Sequence, residues 1–274
     1  MTTPSYAFRD SATMLRRQLR HMLRYPVTMF VVVVIPIVFL LLFVYVFGST
    51  LGAGLDSGAG DLSGDRAGYL RYVVPGILLM AVAGSATGAA VSVTMDMSQG
   101  IMARFRTMAI ARVSVLTGHV LGNMIQTMLG MAIVIGVALL VGFRPNAAWL
   151  DWIAVVGVLA MITLAITWFS VACGLMAKSV ETASNLPMPL ILLPFLGSGF
   201  VPTDSMPIGL SWFAEYQPFT PFIETLRGLL IGTPIGNSAP LAVAWCVGIT
   251  LICYVWAKRL YNRDPARRPK MTVL

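Results

Sequence analysis

Long apolar stretches alternate with short polar ones along most of the chain. About 20 apolar residues are enough to cross the hydrocarbon core of a bilayer. Stretches of that kind occur at residues 27–47, 72–95, 113–143, 152–176 and 239–256. A further apolar stretch begins at residue 186 but is interrupted by three prolines and ended by Pro202. The pattern predicts an all-α integral membrane protein with six transmembrane helices, the fifth of them broken.

The broken span, at roughly 16 residues, is shorter than the about 20 needed to cross a bilayer, and residues 202–238 after it are too apolar for a solvated loop. Thr220 and Pro221 predict an N-cap followed by proline at the first helical position, and Gly232 predicts the end of that helix. One face of it would carry Phe222, Leu226 and Leu229. The segment therefore predicts an outer re-entrant helix that enters the membrane edge without crossing.

This outer segment is also the candidate gate, because broken backbone survives at membrane depth only when it is buried in protein or lines a cavity. Glu224 and Arg227 are three residues apart on one helical face, which predicts an ion pair between them. The residues assigned to the outer gate are Pro202, Met206, Pro207, Glu224 and Arg227.

The first residues of the chain predict a helix that lies in the membrane surface. Over residues 6–24, an apolar stripe that includes Phe8, Leu15 and Leu19 alternates with five arginines. An amphipathic helix of this type lies among lipid headgroups. Residues 48–68 are rich in Gly, Ser and Asp and predict a flexible loop.

Composition and charge fix the class of protein and its orientation. The chain is 57% hydrophobic and 11% charged, which excludes an ordinary soluble domain. Its basic residues concentrate in the N-terminal segment, in residues 96–112, in the turn at 178–184 and in the tail from residue 258, which together hold 15 of the 19 Lys and Arg residues. Because cytoplasmic loops are enriched in Lys and Arg, both termini are predicted to be cytoplasmic. Arg far outnumbers Lys, as in GC-rich bacterial genomes, so the expected location is a bacterial inner membrane.

The loop at 96–112, between the second and third spans, combines apolar and basic positions. Met102, Phe105 and Ala109 make one apolar face, flanked by arginines that suit an acidic protein surface or lipid phosphates. The loop is therefore the candidate contact for a cytoplasmic partner, through Gln99, Gly100, Met102, Arg104, Phe105, Arg106 and Arg112.

Small and polar side chains recur along three of the predicted spans. Gly84 and Gly88 in the second span make a small-xxx-small face that lets another helix approach closely. Polar side chains spaced i, i+4, i+7 either form interhelical hydrogen bonds or line the transport path. They are His119, Asn123 and Gln126 in the third span and Thr163, Thr167 and Ser170 in the fourth.

Several classes of chemistry lack their motifs. The three lysines do not lie in a G-x-x-x-x-G-K-[ST] motif, so the chain cannot bind ATP by that route. No carboxylate lies in the middle of a predicted span, where a proton-coupled carrier usually has one. Gly197–Ser198–Gly199 does not extend to a serine-hydrolase motif, and the three cysteines have no metal-binding spacing. No catalytic or metal site is predicted.

Two stretches resemble the permeases of the ABC-2 type transporter family, and most of all its daunorubicin-resistance drug-export branch. The first is Phe200-Val201-Pro202 with Met206-Pro207, followed by Pro218, Pro221 and Arg227-Gly228. The second is Gln99 to Arg106 with Arg112 and Gly118, which resembles the family's cytoplasmic coupling segment, although Ala109 stands where a proline is usual and Gln99 where an acid is common.

The resemblance implies that residues 1–274 form one transmembrane domain of an exporter. Two permeases, identical or sister chains, would pair, and two ATPase subunits that bind ATP and Mg would dock beneath them. The permease itself would be non-catalytic and hold no cofactor. The cargo would be an amphipathic drug-like molecule or a lipid, and no nucleic acid is involved.

Two other classes of function remain open from the sequence. One is a membrane scaffold or regulatory subunit that transports nothing. The other is a channel or an ion-coupled carrier. An exporter must bring an ATPase subunit when it is purified, whereas neither alternative needs to, so co-purification separates them.

Overall fold

The structure is a computed structural model that describes residues 26–48, 50, 66–99, 112–203 and 206–262. The described residues form eight α-helices and contain no strand. The interfacial helix predicted at 6–24, the loop at 49–65 apart from residue 50, residues 100–111 and the tail from residue 263 lie outside the described residues.

The first four helices are long, and the next three are short. Helix α1 continues directly into a π-helical turn at Phe43–Phe47, and a 3-10 turn at Met188–Ile191 follows α5. The bounds are α1 Pro26–Leu42, α2 Arg66–Ser98, α3 Arg112–Val141, α4 Trp149–Met176, α5 Val180–Asn185, α6 Ile208–Tyr216, α7 Phe219–Ile231 and α8 Ser238–Asn262.

Four of the predicted spans are helices long and apolar enough to cross a membrane: α2, α3, α4 and α8. The first predicted span is also helical, but its apolar part, Val32–Phe47, is shorter than in the other four. Helix α2 is longer than predicted at both ends, so that Asp96, placed by the sequence in the following loop, lies in the last turns of α2 and is buried.

Helix α2 is the centre of the fold. It packs against α1, α3, α4, α5 and α7. Its apolar residues, among them Tyr69, Ile77 and Val82, form much of the main hydrophobic core. Most of the other helices are therefore held in place by their contacts with α2.

The closest helix approach uses glycines other than those the sequence suggested. A Cβ atom added at Gly174 in α4 would lie 2.5 Å from the carbonyl oxygen of Ala90 in α2, so the two backbones meet there. A Cβ at Gly84 or Gly88 would meet nothing within 4 Å in the described residues. Among the described residues, the small-xxx-small face therefore does not receive another helix.

The fifth predicted span is broken, as its prolines indicated. Ser179 caps α5 by accepting a hydrogen bond from the backbone N–H of Thr182, so the predicted turn at 178–184 is largely helical. After the 3-10 turn, the chain continues as successive turns to residue 200. Residues 186–203 are called the broken segment below.

Candidate functional site: a buried arginine between α2, the broken segment and α7

Helix α7 is amphipathic and packs its apolar face into the core. Phe222 and Leu226 are fully buried and Leu229 is partly buried, in agreement with the predicted face. The helix ends at Gly232, which has a φ of +87° and donates its N–H to the carbonyl of Gly228 at 2.8 Å. Glycine adopts this left-handed conformation without the strain that a Cβ would cause, so the predicted helix end is confirmed.

The predicted start of this helix is wrong by two residues. Helix α7 begins at Phe219 after Pro218, which places Thr220 inside its first turn rather than at the cap. The Thr220 hydroxyl donates instead to the carbonyl of Ala214 in α6. Pro221 is tolerated because the first turn of a helix has no intrahelical partners for its N–H groups. Thr220 thus ties α6 to α7.

Arg227 joins three elements of the fold. Its guanidinium donates from Nη2 to the carbonyl of Tyr72 in α2 at 3.2 Å and to the carbonyl of Ser198 in the broken segment at 2.6 Å. The Arg227 Cζ atom lies 3.8 Å from the centre of the Tyr72 ring, which is a cation–π contact. Only 8% of this residue is exposed, so its charge is stabilised by these contacts rather than by solvent.

The predicted ion pair between Glu224 and Arg227 is absent. Glu224 accepts a hydrogen bond from the hydroxyl of Ser238 at the start of α8, while Arg227 faces α2 and the broken segment. A spacing of three residues allows two side chains to meet but does not compel them to do so. The guanidinium donates instead to the carbonyl groups of Tyr72 and Ser198.

Three glycines let the broken segment approach this site closely. A Cβ at Gly76 in α2 would lie 2.7 Å from the carbonyl oxygen of Gly199, and one at Gly197 would lie 2.5 Å from Nε2 of Gln217. That Nε2 atom donates to the carbonyl of Leu193 at 3.2 Å. Residues without a Cβ therefore let the broken segment lie directly against α2 on one side and the start of α7 on the other.

Three buried polar atoms at this junction have no hydrogen-bond partner among the described residues. They are Ser198 Oγ, Gln217 Oε1 and Arg227 Nε. An unpaired buried polar group costs about 1–3 kcal/mol. Departures from full hydrogen bonding occur mainly at functional sites, so these three atoms mark the junction as the candidate site.

The remaining gate residues lie on the connection that leads into α6. Pro202 and Met206 are partly exposed, and Pro207 is exposed directly before the first residue of α6. Residues 204 and 205 between them lie outside the described part of the chain.

An aromatic cluster, which the sequence did not indicate, joins the broken segment to α1. Phe195 and Phe200 stack with ring centres 4.4 Å apart, and the ring of Phe43 lies 4.6 Å from that of Phe200. Phe43 opens the π-helical turn of α1. π-Helical turns are rare and are found frequently at functional sites. This turn therefore indicates that the end of α1 belongs to the candidate site, and the sequence alone did not predict it.

Three members of the polar stripes of α3 and α4 make contacts between helices. Nδ2 of Asn123 donates to Oγ1 of Thr167 at 3.0 Å, which is interhelical hydrogen bonding, the alternative to path lining. His119 contacts Asp96 and Ser92 in α2. The other members are placed as follows: Gln126 is partly exposed, Thr163 is buried with Oγ1 unpartnered among the described residues, and Ser170 donates to the carbonyl of Ile166.

The candidate coupling loop falls almost wholly outside the described residues. Gly100, Met102, Arg104, Phe105 and Arg106 are all among residues 100–111. Of its ends, Gln99 is exposed and donates its N–H to the carbonyl of Met95, and Arg112 is the first residue of α3. The assignment of these residues to an ATPase contact stays a prediction.

Comparison with known proteins matches most of the chain to one family. The ABC-2 type transporter family matches residues 10–231. The daunorubicin resistance ABC transporter permease protein DrrB1 of Streptomyces coeruleorubidus is 27% identical over 200 residues, covering 72% of this chain and 70% of that protein. The probable doxorubicin resistance ABC transporter permease protein DrrC of Mycobacterium tuberculosis is 25% identical over 183 residues, covering 67% of this chain and 66% of that protein. From this match and its apolar spanning helices, the chain belongs to the ABC-2 type transporter family and is a membrane permease of that family.

Proposed function

We propose that this permease exports an amphipathic drug-like molecule or a lipid, driven by a separate ATPase subunit that binds ATP and Mg. The observation that carries the proposal is the buried Arg227 contact, which closes the junction of α2, the broken segment and α7. The names of the two drug-resistance relatives support an amphipathic cargo. A second permease, identical or a sister chain, completes the exporter in the inner membrane.

The depth of α7 supports a re-entrant arrangement. Arg227 is level with Tyr72, and a Cβ at Gly199, next to Gly76, would lie 3.2 Å from Ile223. Helix α7 therefore runs antiparallel to α2. Gly76 lies about 15 Å along α2 from its first residue, Arg66, at a rise of about 1.5 Å per residue, so α7 contacts α2 to that depth. At its other end, the carbonyl of Leu230 accepts from the N–H of Asn146 in the loop between α3 and α4. We propose that α6 and α7 enter and leave the membrane on the same, outer side.

This arrangement gives Arg227 the role of a latch in the outer gate. Its two carbonyl partners belong to separate elements, so at least one of the two hydrogen bonds must break before the broken segment leaves α2. The three unpartnered polar atoms beside it gain partners when water or cargo enters. The open junction thereby recovers part of the hydrogen bonding that the latch loses, which suits a gate that cycles.

The proposed topology is tested by labelling cysteines from outside the cell. Single cysteines at Ser57 and Asn237 are expected to react with a membrane-impermeant maleimide in intact cells, because both positions lie in outer connections of the six-span arrangement. A cysteine at Thr107, on the cytoplasmic side, is expected to react only after the cells are opened. Reaction at Thr107 in intact cells contradicts six spans with cytoplasmic termini.

The ATP-driven function is tested at the coupling loop with Phe105→Asp. Aromatic anchors and arginines contribute most of the energy of typical protein interfaces, and removing one central anchor costs about 2 kcal/mol or more. The variant permease is expected to reach the membrane and lose at least tenfold of its co-purified ATPase, together with ATP-dependent transport of a fluorescent amphipathic compound in vesicles.

Phe105→Leu provides the matched control, because it keeps an apolar anchor and is expected to retain most of the ATPase. If wild-type permease brings no ATPase and transports nothing, the exporter function is wrong. If Phe105→Asp recovers as much ATPase as wild type and transports normally, the coupling contact lies elsewhere, and the turn at 178–184 is the next candidate.

A further inference from the structure

Three polar contacts tie α2, α3 and α4 together at one end of the bundle. Nε2 of His119 lies 3.1 Å from Oδ2 of Asp96, joining α3 to α2. The Asn123–Thr167 hydrogen bond joins α3 to α4. Oγ1 of Thr94 donates to the carbonyl of Gly174 at 2.8 Å, joining α2 to α4. Each pair of helices thus has its own polar contact, and the three contacts close a triangle.

The triangle lies at the ends of α2 and α3 that lead into their connecting loop. Asp96 is two residues from the end of α2, and Gly174 is two residues from the end of α4. Asn123 is eleven residues into α3, which is about 16 Å at the helical rise. The triangle therefore lies at the end of the bundle where α2 ends and α3 begins.

The imidazole of His119 suits its two partners in α2. With the proton on Nε2, the ring donates to the Asp96 carboxylate, and Nδ1 is left to accept from the hydroxyl of Ser92 at 3.4 Å. His119 and Asp96 are both about nine-tenths buried. Buried polar groups are kept only where they are paired, so this contact holds α2 and α3 in one relative position.

We infer that His119 is a positioning residue for energy coupling, and that the triangle it completes makes the ends of α2, α3 and α4 move as one body. The inference rests on the proposed exporter function. A displacement of the loop between α2 and α3 then reaches α4 directly, rather than being absorbed by a hinge between α2 and α3. From α4 it passes to α7 and α8, which both pack against α4.

The test uses two amides that replace different nitrogens of the imidazole. His119→Gln places an amide N–H near the position of Nε2 and keeps a donor for Asp96, whereas His119→Asn reaches only the position of Nδ1. In the complex with the ATPase, transport per ATP hydrolysed is expected to stay within twofold of wild type for His119→Gln. For His119→Asn it is expected to fall at least fivefold, with the permease present in the membrane at wild-type level.

A distance measurement separates this inference from the transport function itself. Spin labels at Gln99→Cys and Leu121→Cys, with the three native cysteines changed to alanine, report the separation of α2 and α3. A single narrow distance is expected in wild type and His119→Gln, and a broad distribution in His119→Asn. Thr167→Val, which cuts the α3–α4 side of the triangle without changing side-chain volume much, is expected to lower transport per ATP in the same way.

Narrow distances in both amide variants, or equal coupling in both, overturn the inference. If the wild-type complex shows no ATP-dependent transport, the proposed function is wrong, and the distance distributions still decide whether His119 holds the two helices together. A loss confined to Thr167→Val, with both His119 variants normal, also contradicts the role given to His119.

Discussion

Replacing Arg227 with alanine is expected to abolish export while ATP hydrolysis continues. The change removes two charge-assisted hydrogen bonds, each worth about 1.5–3 kcal/mol, and leaves the carbonyls of Tyr72 and Ser198 facing a cavity. At about 1.4 kcal/mol per factor of ten, the closed junction is weakened by a factor of roughly a hundred or more. A gate that does not stay closed lets the ATPase run without directional transport.

Arg227→Lys shows whether shape or charge matters in this latch. Lysine keeps the positive charge but lacks the planar fork that serves two carbonyl groups and stacks on an aromatic ring. It is expected to restore only a small part of export. Arg144→Ala, which removes an exposed arginine from the loop between α3 and α4, is the matched control and is expected to stay within twofold of wild type.

The measurements are ATP-dependent transport and ATP hydrolysis by the same purified complex in vesicles. Glu224→Ala is expected to have a milder effect than Arg227→Ala, because Glu224 loses a single contact with Ser238. Normal export by Arg227→Ala contradicts the latch and leaves the outer segment as a passive cap.

Sequence reasoning located α7 but not the partners of its arginine. The helical face and its end at Gly232 follow from local spacing and from the conformational freedom of glycine, so they were predictable. Tyr72 and Ser198 are 155 and 29 residues away from Arg227 along the chain. Spacing rules reach three or four residues, and they therefore suggested the nearby Glu224 instead.

The same limit explains Asp96 and His119. Both residues were visible in the sequence, but the end of α2 was placed before Asp96, because helix ends read from composition are uncertain by a few residues. Placed in a loop, Asp96 had no reason to be buried. Only its position in the last turns of α2, facing α3, shows that His119 belongs to a contact between helices.

Sequence spacing also failed to predict which glycines lie in close helix contacts. Gly84 and Gly88 fit a familiar four-residue spacing, yet their Cβ positions are open. Ser170 and Gly174 in α4 have the same small-xxx-small spacing, and there the backbone of α2 lies directly against Gly174. The sequence of one helix does not show which of its faces the neighbouring helices cover, because that depends on how all the helices pack together.

Gly174→Ala is accordingly expected to destabilise the permease strongly, whereas Gly88→Ala is expected to leave it unchanged or slightly more stable. The new methyl group at 174 would lie 2.5 Å from the carbonyl oxygen and 3.1 Å from the Cα of Ala90, and backbone atoms cannot rotate away from it. Overpacking of this kind typically costs about 1–3 kcal/mol. Moving the two helices apart would also break the hydrogen bond from Thr94 to the carbonyl of Gly174.

Thermal unfolding of the two variants in detergent, followed by size-exclusion chromatography of heated samples, measures the difference. Gly174→Ala is expected to lose several degrees of Tm, and Gly88→Ala is not, because alanine favours a helix over glycine by about 0.5–1 kcal/mol where space allows. Equal Tm values for the two variants would contradict the close contact of α2 and α4 at Ala90. Since that contact is one side of the triangle completed by His119, Gly174→Ala is also expected to lower transport per ATP in whatever fraction of the protein remains folded.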